Sequence, residues 1–299
     1  MKVPLTLGAA VLALLVLVAC GDAGADGGDA GGRGDRVQVT AAFYPLQWAA
    51  ERVGGEHVDV RGLTKPGAEP HDLELTPRAV GELAASDLVV YLRGFQPAVD
   101  EAVTTQAKDA GFDVAPAADL TLNGAGGKDP HFWLDPVRLQ KVATALGERL
   151  AAADPTHAAD YRANAAAVGT ELHALDTEFR AGLVQCRSDE LVTGHAAFGY
   201  LAARYGLSQE GVAGVTPDTE PDAATLRELA RFVKEHGVTT VYSETLVDPA
   251  LAQTLARETG ARVAVLDPLE GLTDSSAGRD YLEVMRSNLA VLEQGQGCS

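Results

Sequence analysis

From residue 156 to about 183 the chain keeps helical spacing with no proline, and only Gly169 and Gly182 interrupt the side-chain run. At about 1.5 Å per residue this is a helix on the order of 40 Å long, enough to cross a whole small domain. A flexible hinge would be rich in Gly, Ser and Pro. The segment reads instead as a rigid connector, and it divides the folded chain in two.

On both sides of it strand signals alternate with helix signals. Before it, strands are expected over 37–43, 58–60, 87–92 and 112–114, with helices over 45–53, from Thr76-Pro77 to about 85, and over 96–110. A loop over 63–75 and a Gly-rich loop over 123–127 separate some of these, and Asp135-Pro136 caps a helix that runs to Asp154-Pro155. After it, strands are expected over 190–193, 209–215, 238–243 and 262–266, with helices over 197–205, 221–236, 248–259 and 281–293. Such alternation means parallel sheets covered by helices. The expected fold is therefore α/β: two βα lobes, 37–155 and 185–299, joined by one long helix over 156–184.

The first residues bear on location. Lys2 precedes an almost unbroken apolar run over 3–18, which ends in Leu17-Val18-Ala19-Cys20. The run is too short and too poorly flanked for a stop-transfer helix, so 1–19 reads as a secretory signal. Its ending resembles a bacterial lipoprotein box, which implies that Cys20 carries a lipid and anchors the chain to the outer side of the bacterial cell membrane. Residues 20–36 are a Gly/Ala/Asp tether too poor in apolar side chains to fold. The Arg33-Gly34-Asp35 tripeptide within it is read as chance in so Gly-rich a linker.

A formal net charge of −18 makes nucleic acid and anionic headgroups poor partners. Hydrophobic residues make up 46% of the chain, sufficient for one large core or two moderate ones. With Cys20 acylated, Cys186 and Cys298 remain as an even pair in a compartment that permits disulfides, and they are expected to bond to each other.

Of seven histidines, three stand in distinctive frames: Pro70-His71-Asp72, Asp129-Pro130-His131-Phe132-Trp133-Leu134-Asp135-Pro136 and Gly194-His195-Ala196-Ala197-Phe198. Asp267-Pro268 follows the strand signal over 262–266. Neutral imidazole is the commonest metal ligand, and three with one carboxylate close a four-ligand shell around a divalent transition metal. In open parallel α/β sheets ligands collect beyond the carboxyl ends of strands. His71 and His131 follow strands of the first lobe, and His195 and Asp267 follow strands of the second, which places a common site in the cleft between lobes. Helix capping or loop packing would also explain each histidine singly, and Glu244 competes with Asp267 as the fourth ligand. His57, His157, His173 and His236 read as surface or satisfied core residues.

These segments, with Thr193-Gly194-His195-Ala196-Ala197-Phe198-Gly199-Tyr200 and Leu266-Asp267-Pro268-Leu269, resemble those of zinc- and manganese-binding solute-binding lipoproteins of ABC transporters, the cluster with a rigid backbone helix. The resemblance runs from about Val37 to the C-terminus. It implies a monomer that captures a metal ion outside the membrane and delivers it to a cognate permease, with His71, His131, His195 and Asp267 as ligands and Glu220 and Glu244 in supporting roles. Manganese-selective relatives have glutamate where His195 stands, and three imidazoles suit zinc better than manganese. Zn2+ is thus the expected cargo, with Mn2+ as the alternative. Many zinc-binding members also carry a long His-rich loop between the first two ligand histidines, whereas 120–129 is short and has none.

Other classes are less well supported. HExxH, Cys-x-x-Cys and GxSxG are all missing from the sequence, and a fourth protein ligand would fill the position that a zinc hydrolase keeps for water, so no enzyme is expected. A surface adhesin is the remaining alternative, a role sometimes attributed to relatives of this family.

Overall fold

The β-branched run Val37–Ala41 (β1) is buried on both faces, as the strand of a helix-covered parallel sheet must be. In the computed structural model, which describes residues 36–124, 127–217 and 222–299, β1 leads into α1 (Tyr44–Gly54), β2 (Val58–Gly62), α2 (Pro77–Ala84), β3 (Leu88–Tyr91), α3 (Pro97–Gln106) and β4 (Gly111–Asp113). The signal segment 1–19, Cys20 and all but the last residue of the tether lie outside the described residues, as does Glu220. The strands form one parallel sheet in the order β2-β1-β3-β4, with Val37 opposite Val58 and Val39 opposite Leu88.

A short helix α4 (Ala115–Ala118) and a two-stranded hairpin, β5 (Asn123–Gly124) with β6 (Gly127–Lys128), follow. Neither was expected. Each has too few residues to show a hydrophobic period, and the hairpin lies in what reads as a Gly-rich loop. Helix α5 (Pro136–Ala153) then starts where Asp135 accepts a hydrogen bond from Val137 N at 2.9 Å.

The long helix α6 is Ala158–Gly182, preceded by a 3-10 turn at Pro155–His157 that absorbs the first residues of the expected span. It lies against α5 so closely that a Cβ on Gly147 would stand 2.9 Å from that of Ala165. Ionic contacts fix it at the other flank. Arg204 bonds Asp176 at 2.6 Å and Asp135 at 3.2 Å, and Tyr205 donates to Asp176 at 3.1 Å. Asp135 and Asp176 are both buried, so the guanidinium ties α6 to the cap of α5 where little water competes.

The second half repeats the pattern: β7 (Glu190–Thr193), α7 (Gly199–Tyr205), β8 (Ser208–Gly211), α8 (Ala223–Glu235), β9 (Thr240–Ser243), α9 (Ala250–Thr259), β10 (Arg262–Val265) and α10 (Tyr281–Gln296). Its sheet is also parallel, ordered β10-β9-β7-β8. Strand β8 is shorter than the expected 209–215 because the chain leaves the ladder at Gly211, where a Cβ would meet Ala213 O at 2.5 Å and Ala196 N at 2.8 Å. Two βα lobes with parallel sheets, joined by a long helix, are therefore the architecture of this chain.

Cys186 and Cys298 are bonded to each other across a sequence separation of 112. Around them Gln296 holds the chain: its backbone carbonyl accepts from Arg187 N and Ser188 N at 3.0 and 3.2 Å, and its side-chain amide donates to Glu190 O at 2.9 Å. One continuous apolar core takes in Val39, Leu88, Trp133, Phe179, Leu191 and Tyr242, residues from both sheets and from α6, together with Phe198 and Leu292. A smaller cluster, including Val192, Val212, Leu229 and Val241, belongs to the second sheet alone. Among the described residues no helix is long and apolar enough to cross a membrane.

Candidate metal centre

The carboxyl ends of the strands point toward a single buried cluster. His71 lies in the loop after β2, His131 at the start of a 3-10 turn before α5, and His195 two residues beyond β7. Their Nε2 atoms meet the carboxylate of Glu270, in the loop after β10. Oε1 of Glu270 is 3.2 Å from His71, 3.0 Å from His131 and 3.3 Å from His195, and the two first-lobe Nε2 atoms are 3.3 Å apart. All four ligand atoms lie within 4.8 Å of one another, and this is the one such group among the described residues.

The spacing is informative. A tetrahedral shell with Zn–N or Zn–O bonds of about 2.05 Å has ligand atoms about 3.3 Å apart, close to the three separations from Glu270 and to that between His71 and His131. His131, His195 and Glu270 are wholly shielded from solvent, and His195 Nε2 and Glu270 Oε2 have no hydrogen-bond partner among the described residues. Buried polar atoms left without partners are costly, and a shared cation would satisfy both. The donor set and its size fit zinc.

Carboxylates behind the histidines orient them. Asp129 Oδ1 accepts from both the backbone N–H and Nδ1 of His131, at 2.9 and 2.8 Å. Glu244, the residue after β9, does the same for His195, with Oε1 2.8 Å from its backbone N and Oε2 on Nδ1. Holding Nδ1 as the donor leaves Nε2 with its lone pair toward the cluster. Glu69 accepts from the backbone N–H of His71 at 3.0 Å. Phe95 packs its edge against the His71 ring, and Trp133 against that of His131.

Asp267 is not in the cluster. Its carboxylate is used in its own loop, accepting from Leu269 N at 2.8 Å and from the Ser276 hydroxyl at 2.9 Å. The residue nearest the strand end is needed to make the turn, and the turn delivers Glu270 three positions later. The structure thus places Glu270 beside the three histidines, where Asp267 was the expected fourth partner. Glu270 lies between Leu269 and Gly271-Leu272, three positions from Asp267 and four from Asp274, and nothing in the sequence singles it out among them. The supporting role of Asp129 was also missed, although it lies within the quoted Asp129-Pro130-His131 frame. The remaining histidines are elsewhere. His57 stacks on His157, His236 pairs with Glu190, and His173 is exposed on α6.

Burial disfavours charge on all the imidazoles, and for His71 it prevails and lowers the pKa. In His131 hydrogen bonds to Asp129 and Glu270 outweigh burial and raise it. In His195 the charge and hydrogen bond of Glu244, aided by Glu270, raise it well above the ordinary value. Burial alone would raise the pKa of Glu270, yet hydrogen bonds with His131 and His71 and the charge of the facing His195 hold it well below the usual carboxylate range. A metal must therefore displace protons from His131 and His195, while Glu270 is already ionised. Zinc affinity is expected to fall as pH drops through the raised histidine values, beginning above the ordinary histidine pKa of about 6.5. Competition against a chelator from about pH 6 to 8 measures this. A flat profile would contradict it.

Residues 39–295 match the family described as "Zinc-uptake complex component A periplasmic". The chain belongs to this family, a group of solute-binding transport components acting outside the cytoplasm. It is 35% identical over 305 residues to the zinc-binding lipoprotein AdcA of Streptococcus pneumoniae, covering 95% of this chain and 59% of AdcA. It thus spans little more than half the length of that relative. It is 32% identical to the high-affinity zinc uptake system protein ZnuA of Bacillus subtilis, covering 93% of each. Among solved structures, the laminin-binding protein Lmb of Streptococcus agalactiae superposes with a TM-score of 0.81 at 34% identity, over 87% of this chain and 99% of Lmb. Zn(II)-bound AdcA of S. pneumoniae gives 0.77 at 36% identity, over 87% of this chain and 58% of AdcA.

Proposed function

We propose that this protein captures zinc outside the cytoplasm and delivers it to the permease of an ABC transporter, with His71, His131, His195 and Glu270 as the four ligands. One observation carries the reading: three imidazole nitrogens and one carboxylate oxygen converge within 4.8 Å of one another in a buried site drawn from both lobes. A closed shell of four protein ligands holds an ion and leaves no position for reactive water, which favours transport over catalysis. Three nitrogen donors also favour zinc over the oxygen-preferring manganese. In this reading the chain is a monomer of two lobes, 37–155 and 185–299, about the helix over 156–184, and it is tethered to the membrane through a lipid on Cys20. Metal analysis of the purified protein with competing zinc and manganese titrations tests it. One zinc per chain, displaced poorly by manganese, is expected, and a stoichiometry well below one would overturn it.

Glu244 and Asp129 supply a finer test. Glu244→Gln or Asp129→Asn should weaken zinc by about 10- to 100-fold, the usual range when a ligand histidine loses its carboxylate partner. Isothermal titration would read this directly, and unchanged affinity in both variants would show that the rings need no such support.

A second reading has one observation behind it. Lmb of S. agalactiae is described as a bifunctional protein with adhesin and metal transporting activity. Laminin binding by this chain, measured on immobilised laminin, would add adhesion to its role.

A further inference from the structure

The loops carrying His131 and Glu270 come from different lobes, and one buried side chain joins them. The indole N–H of Trp133, two residues beyond His131, donates to the carbonyl of Pro268, two residues before Glu270, at 2.8 Å. Tyr281, the first residue of α10, donates its hydroxyl back to the carbonyl of Trp133 at 2.5 Å. Trp133 and Tyr281 are both fully buried. Water cannot replace either bond at that depth.

What this bond restrains is a strained turn. Leu269, between Pro268 and Glu270, has a φ of 58°, in the left-handed region that a leucine side chain disfavours. The Pro268 carbonyl belongs to the peptide unit whose rotation would take Leu269 back to an ordinary conformation. Asp267 restrains the same turn: its backbone N–H donates to Asn288 Oδ1 at 2.9 Å, its carbonyl accepts from Asn288 Nδ2 at 2.7 Å, and its carboxylate accepts from Leu269 N. Turning that peptide would swing Glu270 away from the three imidazoles.

We infer that Trp133 is a positioning residue for metal capture, and that its indole N–H holds the Pro268–Leu269 peptide so that Glu270 faces the histidines. The inference rests on the ligand set proposed above. It assigns to the first lobe the aim of the ligand contributed by the second. Trp133→Phe keeps an aromatic ring beside Phe43 and Phe95 while removing the donor and part of the indole, and the packing loss is separated by the cycle below.

The test is a double-mutant cycle on the full chain, with zinc affinity read by chelator competition. Trp133→Phe is expected to weaken zinc about tenfold in the native background and in His71→Ala, but less than about twofold in Glu270→Gln, where there is no carboxylate left to aim. An equal loss with and without Glu270 would reduce Trp133 to core packing, and no loss at all would also overturn the inference. Should Trp133→Phe fail to fold, Tyr281→Phe enters the same cycle, with a loss of about threefold expected only when Glu270 is present. Equal loss in both backgrounds is again the overturning result. Native affinity in the Glu270→Gln and His71→Ala single variants would defeat the ligand assignment itself, independently of Trp133.

Discussion

Alanine at His131 should weaken zinc binding by about a hundredfold or more. Tetrahedral zinc sites in folded peptides carry about 10–16 kcal/mol of apparent binding free energy, so each of four ligands accounts for about 3 kcal/mol, and each 1.4 kcal/mol is a factor of ten. His131 is the ligand nearest Glu270, at 3.0 Å, and is itself held at Nδ1 and at its backbone by Asp129. His71→Ala, His195→Ala and Glu270→Ala should show losses of the same order. His173→Ala, on the exposed face of α6, should show none. Asp267→Ala separates the two candidate carboxylates: acting only through its turn, it should weaken zinc by about tenfold, well short of Glu270→Ala. Equal losses at His131 and His173 would remove the basis of the site.

Breaking the Cys186–Cys298 bond should have the opposite profile, a large loss of stability with little change in affinity. Closing a loop across 112 positions restricts the unfolded chain by about 4–5 kcal/mol on chain-entropy grounds. That is a large share of the roughly 5–15 kcal/mol that separates a folded domain from its unfolded ensemble. The bond also lies at the far end of β7 from the site. It adjoins the residues that lead into Glu190, whereas His195 follows the other end at Thr193. Urea unfolding of the metal-free protein with and without reductant, or of a Cys186→Ser/Cys298→Ser variant, measures the stability loss. Zinc affinity in the same variant should stay within about threefold of the native value. A stable reduced protein, or one that loses its zinc, would show that the bridge acts otherwise.

The architecture was legible because its signals are long. Uninterrupted helical spacing before Leu183 identified α6 to within a few residues, and capping residues such as Thr76 and Asp135 marked helix starts that the structure keeps. The hairpin of β5 and β6 had no such signal, since it is made by two-residue strands and holds Gly124 against Val215. Within the site, the three histidines were legible from their frames, and the structure brings their Nε2 atoms together. The carboxylate beside them is Glu270 and not the expected Asp267, because sequence position locates a strand end but does not say which side chain the following turn uses. The Asp267 carboxylate bonds to Leu269 and Ser276 and its backbone to Asn288, contacts separated by up to 21 positions that only the folded chain brings together.

The apolar core that runs unbroken from the first sheet through α6 into the second bears on how the protein comes apart. Two sheets would ordinarily suggest two melting events, one per lobe. Here Trp133, Phe179 and Phe198 share a single interior, so neither half can lose its packing without exposing surface of the other. Heating should give one cooperative transition in calorimetry, with matching calorimetric and van't Hoff enthalpies. Zinc bound where the lobes join would raise that transition as a whole, since loss of either half dismantles the same site.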